Sequence, residues 1–334
     1  MKLDLIEGIN KPGKAINVQK YPDEFYRDVI AGLTMEAKRL PSKYFYDKAG
    51  DRIFQEIMQC PEYYLTACEM DIFRNQSDKL VEQIKNENKA IDVIELGPGD
   101  CAKSVHLLHA LQQAGIKFTY VPVDISANII AQLQHSLPQI LPGITVKGIV
   151  ADYYLGLPQA ADPRTQRRKI ILCLGGNTGN MTIENSHAFY KRLRMGLEPG
   201  DRTIIGFDLV KHPAIIRAAY DDKQGITSRF NLNLLKRMNR ELQTDFNTSK
   251  FEHYCCYEPA TGACKSWLVC LEDMKVRFRD ITISFTRHES IWMEISQKYT
   301  MEQVSAFAQR NGFRQLKCLL DSKKWFTDAV WEAI

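Results

Sequence analysis

Ile91-Asp92-Val93-Ile94-Glu95-Leu96-Gly97-Pro98-Gly99 is the stretch that decides the fold. A short, nearly continuous apolar run stops at a glycine turn, and a helix-like segment follows to about Gln113. The next apolar run, Phe118 to Val123, ends at Asp124 and leads into a helical stretch from Ala127 to His135. Thr145–Val150, Lys169–Leu174 and Arg202–Val210 continue the alternation. Apolar strands alternating with helices predict a parallel, doubly wound α/β sheet covered on both faces. Working outward, residues 22 to 90 carry mostly helical apolar spacing, and residues 211 to 250 read as helices rich in Arg, Asn and Lys. Two alternating runs, Ser266–Leu271 and Val276–Phe285, predict strands of a second, inserted unit. A helix from Thr300 to Asn311 and a strand pair, Gln315–Asp321 and Trp325–Trp331, return the chain to the sheet.

The chain has 334 residues with 25% charged and 45% hydrophobic side chains, which excludes a disordered polymer or a disulfide-stapled miniprotein. Its net charge of +4 is spread along the chain and makes no electrostatic case for nucleic acid. The nine cysteines lack paired C-x-x-C spacing, so no metal site is expected. No apolar stretch is long enough to span a membrane, and the start of the chain has no apolar leader-like core. The expectation is a soluble, cytoplasmic monomer in a reducing compartment. Residues 1–19 read as a surface arm.

The chemistry concentrates at strand ends. Gly97 and Gly99 allow a tight turn and close backbone approach, and the next helix offers free N–H groups. Asp124, ending the following strand, is placed to accept ribose hydroxyls at the switch point of such a sheet. Gly97-x-Gly99-x-x-Ala102 also fits a dinucleotide fingerprint, so an NAD(P)-linked oxidoreductase stays open on these residues. Glu95 before the glycines, and the acid–aromatic pair Asp152-Tyr153 suited to an adenine, favour S-adenosyl-L-methionine instead. A third loop, Gly175-Gly176-Asn177-Thr178-Gly179-Asn180, could present carbonyls and an amide to an amine.

Ordered blocks extend this reading: Lys43-Tyr44-Phe45-Tyr46-Asp47, Pro61-Glu62-Tyr63-Tyr64-Leu65-Thr66, Glu95-Leu96-Gly97-Pro98-Gly99, Gly175 to Asn180, Phe207 to Lys211 and Ala219-Tyr220-Asp221-Asp222. Phe230-Asn231, Asn239-Arg240-Glu241, Phe251-Glu252-His253 and Glu294-Ile295-Ser296 complete the set. Together they resemble the histidine Nα-methyltransferases of ergothioneine biosynthesis, which trimethylate L-histidine to hercynine. The resemblance runs from about Leu40 to Phe326. It implies a class I methyltransferase (Rossmann-like) core over 75–210 and 297–334, and a substrate-binding α+β domain over 20–74 and 211–296. It further implies that Glu95, Gly97, Gly99, Lys103, Asp124, Asp152 and Tyr153 hold the cofactor. Gly175 and Asn180 would hold the substrate amine, Tyr46 and Tyr220 its carboxylate, and Tyr63, Glu294 and Ser296 its imidazole. Asn180 and Tyr46 are the residues expected nearest the chemistry.

Two departures bear on specificity. The glycine loop reads Gly-Gly-Asn-Thr-Gly-Asn where many relatives have Gly-Ser-Thr-Ile-Gly-Asn, and Ser266 stands where a bulkier apolar residue borders the imidazole. A methyltransferase acting on another aromatic amine is therefore the nearer alternative. Retention of Glu294 and Ser296 argues for an imidazole, because a buried carboxylate and hydroxyl need a polar partner.

Overall fold

The computed structural model describes residues 23–85, 90–151, 160, 167–279 and 281–334. The expected arm, and Asp152 and Tyr153, lie outside the described residues. The described residues begin with helices α1 (Glu24–Leu33), α2 (Lys48–Gln59) and α3 (Tyr64–Ile84). Then come β1 (Ile91–Leu96), α4 (Ser104–Gln113), β2 (Phe118–Asp124), α5 (Ala127–Ile140), β3 (Thr145–Val146), β4 (Ile149–Val150) and β5 (Arg168–Cys173). They are followed by α6 (Ile183–Met195), β6 (Arg202–Asp208), α7 (Pro213–Ala218) and α8 (Ile226–Leu242). Strands β7 (Phe251–Glu258), β8 (Ala263–Cys270), β9 (Met274–Phe278), β10 (Ile281–Phe285) and β11 (Ser290–Gln297) come next. Helix α9 (Met301–Arg310) and strands β12 (Phe313–Leu320) and β13 (Phe326–Ala333) close the chain.

Two compact units result. One comprises Tyr64–Lys211 and Ser296–Ile334, the other the chain up to Tyr63 together with His212–Ile295. The sheet of the first runs β12-β13-β6-β5-β1-β2-β3, with β4 also on β2. Strands β1, β2, β5 and β6 are parallel, whereas β13 is antiparallel to β6 and β12 to β13. All six residues of β1 are buried, the burial a parallel sheet demands of an apolar strand. Ile94, Val121, Ile171, Ile205 and Trp331 meet Tyr190 and Leu193 of α6 and Phe307 of α9 on one face. Helix α3 packs on α4 and on β12 and β13, so residues 64–74, expected with the inserted part, belong with the sheet.

The other unit forms around α1 and α8. Tyr26, Val29 and Ile30 pack with Leu234, Leu235 and Met238, and with Phe251, Leu268, Phe278, Phe285 and Ile291 of the strands. Its sheet has the order β11-β8-β7, and β9 and β10 form a separate antiparallel hairpin. The run Val276–Phe285, expected as one strand, is therefore two. Arg279 turns the chain with φ +45°, a left-handed conformation at a residue that gives no glycine or proline signal. The expected strand Thr145–Val150 is likewise two short pairings, Thr145–Val146 and Ile149–Val150.

The β12–β13 turn hangs on one side chain. Asp321, buried, accepts from the backbone amides of Lys323 (2.9 Å), Trp325 (2.7 Å) and Phe326 (2.8 Å). Replacing it by Ala leaves those amides without their acceptor, and Asp321→Ala is expected to lower unfolding free energy by about 2–4 kcal/mol. Urea titration of both proteins checks this; equal midpoints would remove the carboxylate from the turn's support.

Candidate active site

The strand order of the sheet reverses between β1 and β5: β2 and β3 extend to one side, β6 to the other. The carboxyl ends of β1 and β5 therefore sit side by side at a topological switch point, where the connections diverge and leave a crevice. Both ends carry glycine turns. Gly97 and Gly99 have φ +69° and +56°, and Gly175 and Gly176 have φ +77° and +69°, values a side chain would strain. A Cβ on Gly99 would meet nothing within 4 Å, so the turn faces open space. The Gly97 amide is tied to the Val123 carbonyl at 2.9 Å, which brings the β1 turn to the end of β2.

Asp124, the last residue of β2, stands at this same edge. Its Oδ1 accepts from the Ser126 amide at 2.8 Å, and burial raises its pKa against that hydrogen bond. Lys103, entering α4, donates to Glu69 of α3, and a Cβ on Gly175 would lie 3.6 Å from its Nζ. Burial lowers the Lys103 pKa, but the Glu69 charge more than offsets this and the net shift is upward. Glu95 turns inward: Tyr120 donates to its Oε2 at 2.5 Å, and burial, opposed by bonds from Tyr120 and Ser104, pushes it up to about 7. Its bonds join β1 to β2 and to the start of α4.

The loop after Gly176 is a single 3-10 turn, Asn177–Asn180, with Asn180 exposed. Gly179 lies against Gln297 and Ser296; an added Cβ would sit 2.9 Å from the Gln297 carbonyl and 3.5 Å from Ser296 Oγ. Ser296 is buried and accepts from Lys298 Nζ at 2.7 Å. Lys298 also pairs with Asp208 at 2.7 Å, and Lys211 and the Tyr64 hydroxyl converge on the same carboxylate. Two buried ammonium groups thus share one aspartate at the carboxyl end of β6. Burial, only partly offset by Asp208, holds the Lys211 pKa below its ordinary value. This cluster escaped the reading of the sequence, although Phe207 to Lys211 was among the blocks.

The remaining site residues fall in the other unit. Tyr46 packs edge-on against Phe54 (5.5 Å) and Phe230 (5.6 Å), and Phe54 in turn meets Tyr63. Tyr63 meets Tyr220 at 6.1 Å. The structure therefore brings Tyr46, Tyr63 and Tyr220 into one aromatic chain. Asp47 next to Tyr46 caps α2 through the Gly50 amide (2.7 Å) and accepts from Asn233 (2.8 Å). Asp222 fixes the Tyr220 loop by accepting from the amides of Ile226 and Thr227 at the start of α8. Glu294 on β11 accepts from Asn231 Nδ2 at 3.3 Å, and Asn231 is anchored to the Thr227 carbonyl at 3.1 Å. Asn231 was quoted only as part of a block; its place one residue after Phe230 orients Glu294 in the same unit. Ser266 is buried on β8 opposite Cys255.

Residues 25–333 match the family model described as histidine-specific, SAM-dependent methyltransferases. The chain belongs to that family. It is 32% identical over 304 residues to the histidine N-alpha-methyltransferase of Mycobacterium tuberculosis, covering 90% of each chain. It is 27% identical over 285 residues to ergothioneine biosynthesis protein 1 of Schizosaccharomyces pombe, covering 83% of this chain and 36% of that one. The oxidoreductase reading of the glycine turn is thereby set aside. Among the described residues, no helix is long and apolar enough to cross a membrane.

The buried Glu95 carboxyl yields a pH signature. Its folded pKa of about 7 exceeds the model-compound value of 4.5, so between those pH values the folded protein keeps a proton that the unfolded chain releases. Stability from this group is therefore lost as pH rises through that window, by up to ~3 kcal/mol. Glu95→Gln removes the titration and should gain stability relative to the parent between pH 5 and pH 8. Thermal melts at both pH values check this; an identical difference at each would contradict it.

Proposed function

We propose that the protein transfers methyl groups from S-adenosyl-L-methionine to the α-amine of free L-histidine, three times in succession, giving hercynine. Membership of a histidine-specific family across residues 25–333 is the observation that carries the reading. The left-handed glycines at the switch point, the open space over Gly99, and Asp124 and Lys103 at the same edge fit the cofactor. Asp152 and Tyr153 are proposed beside them on sequence alone. When bound, the cofactor supplies an electrophilic methyl group on a sulfonium.

The residues of this chain then have to orient a neutral amine, since alignment is what the protein contributes to an in-line displacement. Asn180, exposed at the end of its 3-10 turn, and the Gly175 backbone are proposed to hold the amine. Tyr46 and Tyr220 are proposed to grip the carboxylate, with Tyr46 a candidate phenol for the departing proton. Tyr63, Glu294 and Ser296 are proposed to hold the imidazole. The Asn231–Glu294 hydrogen bond supports this, because it fixes a carboxylate that can accept an N–H. Aromatic faces at Tyr46 and Tyr63 tolerate the cation as each N–H is replaced. The protein acts in this reading as a cytoplasmic monomer on a small molecule.

Mass spectrometry after incubation with L-histidine and methyl-labelled cofactor should show histidine carrying three labelled methyl groups. Label in another aromatic amine alone would replace the substrate, and a single methyl would correct the count. Glu294→Ala should raise KM for histidine roughly tenfold to a hundredfold while leaving cofactor affinity nearly unchanged. An unchanged KM would take Glu294 out of the imidazole's reach. Asp124→Ala should weaken S-adenosylhomocysteine binding by about 1–3 kcal/mol in calorimetry; no loss would move the cofactor elsewhere.

A further inference from the structure

Beneath the Gly175 turn lies a charged group with no place in the reading so far. Glu69 on α3 is fully buried, an expensive position for a carboxylate unless its surroundings compensate. Its two oxygens accept from the Gly175 amide at 2.9 and 2.8 Å, and Lys103 Nζ donates to Oε2. The sheet is shaped to admit it: a Cβ on Gly206 of β6 would lie 2.4 Å from Glu69 Oε1. Directly across the β6–β13 pairing from Gly206 stands Asp328, also fully buried. Neither Asp328 oxygen meets a hydrogen-bond donor.

We propose that Glu69 is a positioning residue for the methyl donor: its carboxylate holds the Gly175 turn and the Lys103 side chain in the places where the donor meets them, and Asp328 backs it from β13. Packing alone does not explain a carboxylate here, since an apolar side chain fills such a space at lower cost. What the carboxylate does that an apolar group cannot is bind a backbone amide on the loop after β5 and an ammonium at the start of α4 together. One anchor thus sets the separation of the two glycine turns. Asp328 fits as a proton-bearing partner. Two acceptors buried side by side are satisfied when one is protonated and donates to the other. Burial first, and then the Glu69 charge, holds Asp328 well above the ordinary carboxylate range.

The inference rests on the donor lying at this edge, and the experiment separates the two. Steady-state KM for the cofactor and for histidine is measured on the full-length enzyme carrying Glu69→Gln, Asp328→Asn or Asp124→Ala. Glu69→Gln should raise KM for the cofactor about tenfold or more and KM for histidine, whose amine is proposed to meet the same Gly175 turn, by a smaller factor. Asp328→Asn, whose amide can donate as the acid does, should raise the cofactor KM by a smaller factor than Glu69→Gln. A merely structural Glu69 would lower the amount of active enzyme without selecting one KM. Should Glu69→Gln fail to fold, Glu69→Asp, which keeps the charge but withdraws it by one methylene, carries the same test. An unchanged cofactor KM in the folded Glu69 variant alongside a raised one in Asp124→Ala overturns the proposal and leaves the donor placement standing. No change in either overturns the placement. An Asp328→Asn effect equal to that of Glu69→Gln would overturn the assignment of Asp328 as the donating partner.

Discussion

The reversal of strand order between β1 and β5 is the constraint on which the rest depends. Parallel strands deliver their carboxyl ends to one edge, and at the reversal the chain leaves in opposite directions, so no connection covers the edge. What the sequence places there is backbone: glycines at 97, 99, 175 and 176, all left-handed. A donor with a charged head and a flat heterocycle is bound well by such an edge, because amides and carbonyls are exposed without side chains in front of them. Asp124 and Lys103 are the charged side chains proposed to meet it there.

The cost of this edge is met by buried charge beneath it. Glu69 and Lys103 lie under the β5 turn, and Asp208 with Lys211 and Lys298 at the end of β6. Glu95 ties β1 to β2 through Tyr120. Buried ion pairs seldom add net stability against an apolar replacement of the same shape. They do fix direction: each carboxylate here has donors at defined positions. Rigidity where the cofactor and the amine must be aligned is the return. The other unit is ordered by the edge-on rings running from Tyr46 to Tyr220, the Asn231 amide on Glu294, and Asp47 and Asp222 on backbone amides.

The parallel sheet was legible because each of its long strands is an apolar run ended by Gly or Asp, a period that little else produces. The inserted strands were legible only in part. Phe251–Glu258 mixes aromatic, charged and cysteine residues on an outward-facing edge strand, so its alternation is weak. The β9–β10 turn passes through Arg279 without glycine or proline, and the two strands read as one. The residues proposed to touch ligand were found through turn glycines, strand-end acids and ordered blocks. Those that support them were not. Glu69 in Ala67-Cys68-Glu69-Met70 resembles any charged helix position, and only the fold shows that it points under the sheet. Asp328, inside an apolar strand, reads as an outward residue until β12 and β6 are seen to flank it.

The most direct measurement is a crystal structure of the protein with S-adenosylhomocysteine. The ligand should lie across the carboxyl ends of β1 and β5, its ribose on Asp124 and its amino-acid end near Gly97 and Lys103. Density for it at any other edge of the sheet, or in the unit built on α1 and α8 alone, would contradict the assignment of the glycine turns as the donor site.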